Sequence, residues 1–240
     1  MSAAHLHATR HGSDLIGSSA ASESDEARAC HPYASVEGEP RTPAGRMALA
    51  YLQDMHRILA QVDICAIERI AGRLEAARDR GAMIYVAGNG GSAATASHWT
   101  NDLGKAAKRS GCTPFRIISL SDNVPWLTAL ANDEGYERVF TGQLENFARR
   151  GDVLVVISAS GNSLNVLRAV ELARTRGLVT VGFVGFDGGR LRDLVDECLW
   201  ISTPPGAYGP VEDGHAVVCH LLTTYLAHDQ APHEVSRPSG

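Results

Sequence analysis

Apolar residues recur at helical spacing in two stretches that precede the first strand-like run of the chain. In the first stretch they occupy positions 49, 52, 55, 58, 59 and 62, and in the second positions 67, 70, 71 and 74, before Gly81 ends the pattern. Spacings of three and four place such residues on one face of a helix. The pattern therefore predicts two amphipathic helices in front of the first strand.

Five short apolar runs follow, each bounded by glycine or polar residues. Nearly continuous apolar runs of this length are typical of strands that are covered on both faces. The predicted strands are Met83–Ala87, Arg116–Leu120, Val153–Ser158, Val179–Gly185 and Cys198–Ile201. Helical patterns are found at Ala93–Leu103, Trp126–Ala131, Phe140–Ala148, Asn165–Thr175 and Gly188–Val195, and from about Val211 to Ala227. This alternation predicts an α/β fold, a three-layer α/β/α sandwich around a five-stranded parallel sheet.

The two ends of the chain lack this periodicity. Residues 1–46 are rich in Ser, Ala, Glu, His and Pro, so burial of their few apolar side chains cannot compensate for the entropy lost on ordering. We expect a disordered extension at 1–46, the folded domain at 47–228 and a flexible tail at 229–240. The histidines of the extension, His5, His7, His11 and His31, are either solvated side chains or a metal-binding tail.

Charge and cysteine content narrow the functional class. The chain has 22 Lys and Arg against 27 Asp and Glu, a net charge of −5, which argues against nucleic acid or an anionic membrane as the main partner. Its five cysteines are widely spaced without a CxxC pair, as expected for reduced thiols. No apolar run approaches the roughly 20 residues of a membrane helix. We therefore expect a cytoplasmic protein.

Two turns that lead from a predicted strand into a predicted helix contain the candidate binding residues. They are Gly88-Asn89-Gly90-Gly91-Ser92 and Ser158-Ala159-Ser160-Gly161-Asn162-Ser163. Glycines let backbone N–H groups approach an anion, a helix N-terminus adds partial positive charge, and serines add hydroxyl donors. Each turn alone is also compatible with a tight turn or an ordinary helix cap. Their occurrence together, where parallel sheets bind ligands, favours a phosphate site.

Neither turn carries a nucleotide-binding motif. The first lacks the spaced glycines of GxGxxG, and no Gly-Lys-Ser/Thr is present, which excludes a P-loop. We therefore expect a phosphomonoester as ligand and no nucleotide cofactor.

With these two turns the chain resembles the sugar isomerase (SIS) family, and within it the phosphoheptose isomerases. The resemblance covers about residues 48–227 and leaves out the extension. It also includes Ala131-Asn132-Asp133 with Gly135, Gly151-Asp152-Val153-Leu154, Gly188-Gly189, and His98 six residues after the first turn. The resemblance implies a flavodoxin-like fold, a phosphosugar substrate and a homotetramer with active sites at subunit interfaces.

Four polar residues on two predicted helices are candidates for the catalytic and metal-binding groups. His98 and Asp102 are spaced i, i+4 and share one helix face. Glu212 and His220 lie eight residues apart, about 80° from eclipsed, and can converge on one pocket. The resemblance implies that the four stand where the family has a His, a catalytic Glu, a Gln and a catalytic His, which in some members hold zinc.

Three positions depart from the family pattern. Asp102 stands where the family has Glu, Glu212 where it has Gln, and Gly209 where it has Asp. The first change shortens the base by one methylene, and the second adds a negative charge that attracts a cation. Two histidines and two carboxylates are an adequate ligand set for Zn²⁺. Zinc bound by His98, Asp102, Glu212 and His220 and metal-free acid–base catalysis therefore both stay open.

The resemblance implies an aldose–ketose isomerase that converts D-sedoheptulose 7-phosphate to D-glycero-D-manno-heptose 7-phosphate through an enediolate. Asp102 and His220 are its predicted acid–base pair. The predicted substrate contacts are Asn89, Gly90, Gly91, Ser92, Asn132, Asp133, Ser158, Ala159, Ser160, Ser163 and Glu212. One alternative is an isomerase of a pentose, hexose or octose phosphate. The other is a non-catalytic SIS module that binds a phosphosugar or a protein partner.

Overall fold

The computed structural model describes residues 42–105 and 113–227. The predicted tail at 229–240 and nearly all of the predicted extension at 1–46 lie outside these residues. The first helix begins at Pro43 and so includes the last four residues of the range that was assigned to the extension. Within the described ranges, no helix combines the length and the apolar character needed to cross a bilayer.

From the second helix onward, at least one helix lies between each pair of consecutive strands, as the periodicity predicts. The helices are α1 (Pro43–Leu59), α2 (Ile64–Asp79), α3 (Gly91–Lys105), α4 (Val124–Asp133), α5 (Thr141–Phe147), α6 (Leu164–Thr175), α7 (Leu191–Leu194) and α8 (Tyr208–Ala227). The strands are β1 (Met83–Gly88), β2 (Arg116–Ser119), β3 (Val153–Ser158), β4 (Val179–Val184) and β5 (Glu197–Trp200). A short 3₁₀ helix, Tyr136–Arg138, precedes α5.

The five strands form one sheet in the order β2-β1-β3-β4-β5, and every neighbouring pair is parallel. This is the strand order of flavodoxin-like folds. Helices cover both faces. Buried residues of α2, α3 and α8, among them Leu74, Trp99 and Leu222, pack on one face, and residues of α5 and α6, such as Leu144 and Val170, pack on the other. The predicted fold class is confirmed.

Several element boundaries differ from the prediction, such as those of α7, which is limited to Leu191–Leu194, and two of the differences have a clear physical reason. Strand β5 begins at Glu197, whose carboxylate is buried because it accepts hydrogen bonds from Arg69 and Arg73 of α2. Helix α8 begins at Tyr208, three residues before the predicted start. Pro210 lies in its first turn, where the missing N–H removes no helical hydrogen bond.

Parallel pairing also determines where the candidate turns lie. Strands β1 and β3 are hydrogen-bonded neighbours, and Gly88 at the end of β1 is in register with Ile157 near the end of β3. Both strands run in the same direction, so the two turns that follow them emerge side by side at one edge of the sheet. The loop after β4 joins them there.

One histidine of α8 is part of the core. His215 has no exposed surface, packs its ring on Phe183, and lies with Nε2 3.2 Å from the carbonyl oxygen of Val184. Because a carbonyl only accepts, Nε2 carries the proton, and Nδ1 has no partner among the described residues. Burial lowers the pKa of His215 to about 4.

This burial predicts a loss of stability in mild acid. Between pH 6.5 and about 4 the unfolded chain binds a proton at His215 that the native chain does not, so the free energy of unfolding falls as the pH falls. The full loss is about 3 kcal/mol. His215→Gln can keep the bond to Val184 but cannot titrate, so urea denaturation at several pH values should show a weaker pH dependence for it. Equal slopes for the two proteins would contradict the assignment.

Candidate active site

The two turns form the walls of one cleft of about 260 Å³ at the carboxyl edge of the sheet. Nine of its lining residues were predicted to contact substrate: Asn89, Gly90, Gly91, Ser92, Ser158, Ala159, Ser160, Ser163 and Glu212. Ile157 and Tyr208, which were not predicted, line it as well. Among the described residues that line the cleft, none is Lys, Arg or His. An anion bound there would be held by dipoles and hydroxyl groups.

The first turn presents backbone donors at the start of α3. N–H groups in the first turn of a helix have no carbonyl partner within the helix, so those of Gly91 and Ser92 can donate to a ligand. Packing requires glycine at position 88, because a Cβ atom there would lie 2.6 Å from the carbonyl oxygen of Ser92. The strand end is thereby held against the first turn of α3.

The second turn is stiffened by its own hydrogen bonds. Gly161 donates its N–H to the Ser158 hydroxyl over 3.1 Å. Arg190, in the loop after β4, and Leu191, at the start of α7, also donate their N–H groups to the turn. Ser163 is the N-cap of α6, yet its side chain makes no capping hydrogen bond. Its hydroxyl is therefore available to a ligand.

Asn89 in the cleft wall belongs to a side-chain network. Its amide and that of Asn165, at the start of α6, exchange two hydrogen bonds of 2.9 Å each. Tyr136 donates its hydroxyl to the same Asn89 oxygen, also over 2.9 Å. Asn165 is 3% exposed and accepts a further hydrogen bond from the N–H of Val166. The Asn89 side chain is thus held from two sides.

His98, Asp102 and His220 come together where α3 and α8 pack against each other. The Nε2 atoms of the two histidines are 2.8 Å apart, and Asp102 Oδ2 lies 3.2 Å from His98 Nε2 and 3.5 Å from His220 Nε2. Both imidazole side chains are about half exposed. The three side chains form a group that could hold a metal ion. Helix α3 contributes two of these side chains and α8 the third.

Comparison with known proteins agrees with this geometry. A profile of the SIS domain family matches residues 50–185. The chain is 36% identical over 180 residues to a probable phosphoheptose isomerase of Thermoplasma acidophilum, covering 75% of this chain and 97% of the relative. It is 40% identical to the phosphoheptose isomerase of Geobacter metallireducens over 65% of this chain and 81% of the relative. The chain belongs to the SIS domain family.

Solved structures give the same result for this SIS domain. The phosphoheptose isomerase of Neisseria gonorrhoeae superposes with a TM-score of 0.69 at 28% identity and covers 77% of this chain and 98% of its own. That of Francisella tularensis gives 0.68 at 25% identity, with the same two coverages of 77% and 98%. The family and the branch that the sequence resembles are therefore confirmed.

Glu212 lies apart from the cluster formed by the other three predicted metal ligands. Its carboxylate lies beside the first turn, where a Cβ atom at Gly91 would be 2.2 Å from Oε1. Among the described residues, the potential metal-ligand atoms of His98, Asp102 and His220 lie within 4.8 Å of one another, and this group does not include Glu212. Glu212 is therefore a residue of the cleft, two turns of α8 before His220. His215 of the same helix is buried in the core, away from both.

Asn132 and Asp133 do not line the cleft in this single chain. They form the exposed end of α4, where the Asn132 amide donates to the Asp133 carboxylate over 2.7 Å. Their predicted contact with substrate stays a prediction. Sequence reasoning missed Ile157 and Tyr208, which line the cleft, and Asn165, which holds Asn89 from behind it. Tyr208 was missed because α8 was started at Val211, and Asn165 because a polar residue at a helix start is usually a cap.

The tight contact of the serine turn with the next loop predicts a severe effect of Gly161→Ala. Gly161 has φ +62°, and a Cβ atom there would lie 2.0 Å from the carbonyl oxygen of Gly188. Gly151→Ala is the matched control, because Gly151 has φ +89° and no atom near the added Cβ. Both variants carry a strain of about 1–3 kcal/mol. Urea denaturation should show a clearly larger loss for Gly161→Ala, and equal losses would contradict the contact.

Proposed function

We propose that this SIS domain is an aldose–ketose isomerase that converts D-sedoheptulose 7-phosphate to D-glycero-D-manno-heptose 7-phosphate through an enediolate. One observation carries the proposal. The same two helices, α3 and α8, border a cleft of phosphate-binding character at one end and carry the His98, Asp102 and His220 cluster farther along. The relatives named phosphoheptose isomerase support the choice of a seven-carbon substrate.

In this proposal the cleft holds the phosphate group. The hydroxyls of Ser92, Ser158, Ser160 and Ser163 and the N–H groups of Gly90, Gly91 and Ala159 are the donors. Helix N-termini attract anions through the same unpaired N–H groups and the helix dipole. Glu212 is the one carboxylate among the described lining residues, and its negative charge sets it toward the sugar rather than the phosphate.

The separation of cleft and cluster suits a sugar phosphate that reacts at the end far from its phosphate. His98 is six residues beyond Ser92 on α3, which corresponds to about 9 Å along the helix axis. His220 is eight residues beyond Glu212 on α8, or about 12 Å. A ketose 7-phosphate has its reacting carbons, C1 and C2, at the opposite end of the chain from its phosphate.

Asp102 and His220 are the proposed acid–base pair. A base removes one proton from C1 of the ketose while an acid protonates the oxygen on C2, which gives the enediol through an enediolate. The proton on the C1 oxygen then leaves, and C2 receives a proton, so that the aldehyde forms at C1. Positioned acids and bases of this kind contribute about 10²–10⁴-fold to the rate. Asp102 lies within 3.5 Å of both histidines and can exchange protons with them.

The donor set also fits zinc. Two imidazole nitrogens and one carboxylate oxygen are ligand types that Zn²⁺ prefers. Their separations of 2.8, 3.2 and 3.5 Å are close to the roughly 3.3 Å between ligands of a tetrahedral zinc site. We propose that His98, Asp102 and His220 would hold the ion, whereas Glu212, the fourth predicted ligand, stays in the cleft, about 12 Å before His220 along α8. A bound zinc ion would polarise the sugar oxygens as a Lewis acid.

We further propose a cytoplasmic homotetramer whose active sites are completed at subunit interfaces, where Asn132 and Asp133 contact the substrate. Exposed apolar side chains support the association. Val217, Leu221 and Tyr225 are each more than 40% exposed and are spaced four residues apart along α8. Helix α1 exposes Leu49 and Leu52. Apolar stripes of this kind mark protein–protein contacts.

The function is tested by following sedoheptulose 7-phosphate turnover with purified protein. We expect Asp102→Asn and His220→Ala each to lower kcat by about 10²-fold or more, because each removes a group that transfers protons. Asp79→Asn, an exposed carboxylate on α2, is the matched control and should retain full activity. Phosphosugar binding without turnover in the unmutated protein would instead favour the binding module. Turnover of a pentose, hexose or octose phosphate would favour the other alternative.

Chelation decides the role of metal in the same assay. If zinc acts in the reaction, removal of the ion should abolish turnover, and added Zn²⁺ should restore it. Unchanged turnover in metal-free protein, shown by elemental analysis to lack zinc, would leave Asp102 and His220 as the acid–base pair without a metal.

Charge introduced into the α8 stripe should disrupt the assembly. The double substitution Val217→Lys and Tyr225→Lys places two charged groups in a surface that would be buried between copies, so light scattering should show a smaller species than the unmutated tetramer. Val124→Lys, at an exposed apolar position of α4, is the control. A monomeric unmutated protein would contradict the proposed assembly.

A further inference from the structure

We propose that Asn89 can only donate to the ligand in the cleft, and that Asn165 is the positioning residue that sets this polarity. The inference rests on the proposed function only in taking a phosphosugar as the ligand. Asn89 is thereby expected to contact a substrate oxygen atom that accepts a hydrogen bond. Asn165, which contacts no part of the cleft surface, also gains a role.

A backbone group determines the orientation of the Asn165 amide. The N–H of Val166 points at one side-chain atom of Asn165 over 2.9 Å, and an N–H group can only donate. The atom that it meets must therefore be the amide oxygen of Asn165. This removes the usual ambiguity between the oxygen and nitrogen atoms of an asparagine side chain.

The orientation of Asn165 then determines that of Asn89. The Asn165 oxygen must receive an N–H from Asn89, and the Asn165 nitrogen must donate to the Asn89 oxygen. Reversing Asn89 alone would place oxygen against oxygen and nitrogen against nitrogen. Because Asn165 is nearly fully buried, water cannot relieve such a mismatch, and the penalty is that of unpaired buried polar groups.

Hydrogen bonds to Asn165 and Tyr136 use most of the hydrogen-bonding capacity of the Asn89 amide. Its oxygen has two lone pairs, and these accept from Asn165 and from the hydroxyl of Tyr136. Its nitrogen has two hydrogens, and one of them is donated to Asn165. One N–H is left. Because Asn89 is partly exposed and lines the cleft, this N–H is what the residue offers a ligand.

A fixed N–H donor stabilises negative charge that develops on an oxygen atom during a reaction, because it needs no reorganisation. An asparagine that was free to turn its amide could either donate to a ligand or accept from it. Asn89 can only donate, so it selects an oxygen that lacks a proton. Phosphate, carbonyl and enediolate oxygens all satisfy this requirement.

The test compares two isosteric substitutions. They differ in whether protonation of the introduced carboxyl group restores the hydrogen bond to the ligand. In Asn165→Asp the new carboxylate still accepts from Val166 and Asn89, but its other oxygen faces the Asn89 oxygen. We expect kcat/KM to fall by about 10- to 100-fold at pH 8, the range for a lost hydrogen bond to a charged group. On acidification the introduced carboxyl gains a proton, which it can donate to Asn89, so the reciprocal pair re-forms and activity recovers.

Asn89→Asp gives the opposite result. Its protonated form has one O–H, which is needed by the Asn165 oxygen, so no donor is left for the ligand. We therefore expect a loss of similar size that does not recover on acidification. Tyr136→Phe leaves the amide pair intact and should cost less than about threefold. Asn146→Asp, at an exposed position on α5, controls for the added charge. The kcat/KM of each variant is divided by the kcat/KM of Asn146→Asp at the same pH.

The outcomes separate this proposal from the isomerase assignment. The proposal would be overturned if the kcat/KM ratio of Asn165→Asp stays constant with pH. It would also be overturned if the ratio of Asn89→Asp recovers on acidification to the same extent. Thermal melting of each variant shows whether the fold is retained, and Asn89→Asp replaces a partly exposed residue, so it still tests the proposal if Asn165→Asp does not fold. If the unmutated protein shows no turnover, the isomerase proposal fails. Calorimetric titration with sedoheptulose 7-phosphate then applies the same pH comparison to Kd.

Discussion

Parallel pairing between β1 and β3 is the constraint on which the rest of the site depends. It places the ends of two strands that are separated by 64 residues in one register, so that their turns become the two walls of one cleft. An antiparallel neighbour would have sent one turn to the opposite edge of the sheet. The glycines follow from this arrangement, because the backbones at Gly88 and Gly161 approach other main-chain atoms more closely than a side chain allows.

The part of the site that could be predicted from sequence is the part encoded in local composition. Strand-length apolar runs, the glycine turn and the serine turn are each readable within about ten residues, and the i, i+4 spacing of His98 and Asp102 defines a helix face. The rest depends on distant partners. Glu197 becomes a strand residue only because two arginines of α2 neutralise it, and Asn165 gains its role only from Asn89, 76 residues earlier.

The electrostatics of the cleft are set by what it lacks as well as by what it contains. Among its described lining residues no side chain carries a positive charge, and Glu212 carries a negative one. Attraction for an anion therefore comes from oriented N–H groups and hydroxyls, whose effect falls off over a shorter range than that of a charge. Such a site discriminates by the fit of donors to acceptor oxygens, and it gives little long-range steering.

The bond between His215 and Val184 determines more than the stability of the core. A slip of α8 by one residue would rotate the helix by about 100° and move it by about 1.5 Å. The His215 proton would then be buried without a partner, and the Val184 oxygen would keep only the hydrogen bond that it accepts from the N–H of Ile201. Glu212 and His220, which lie on either side of His215 along α8, are in this way kept in rotational register by a bond at the middle of the helix that touches neither of them.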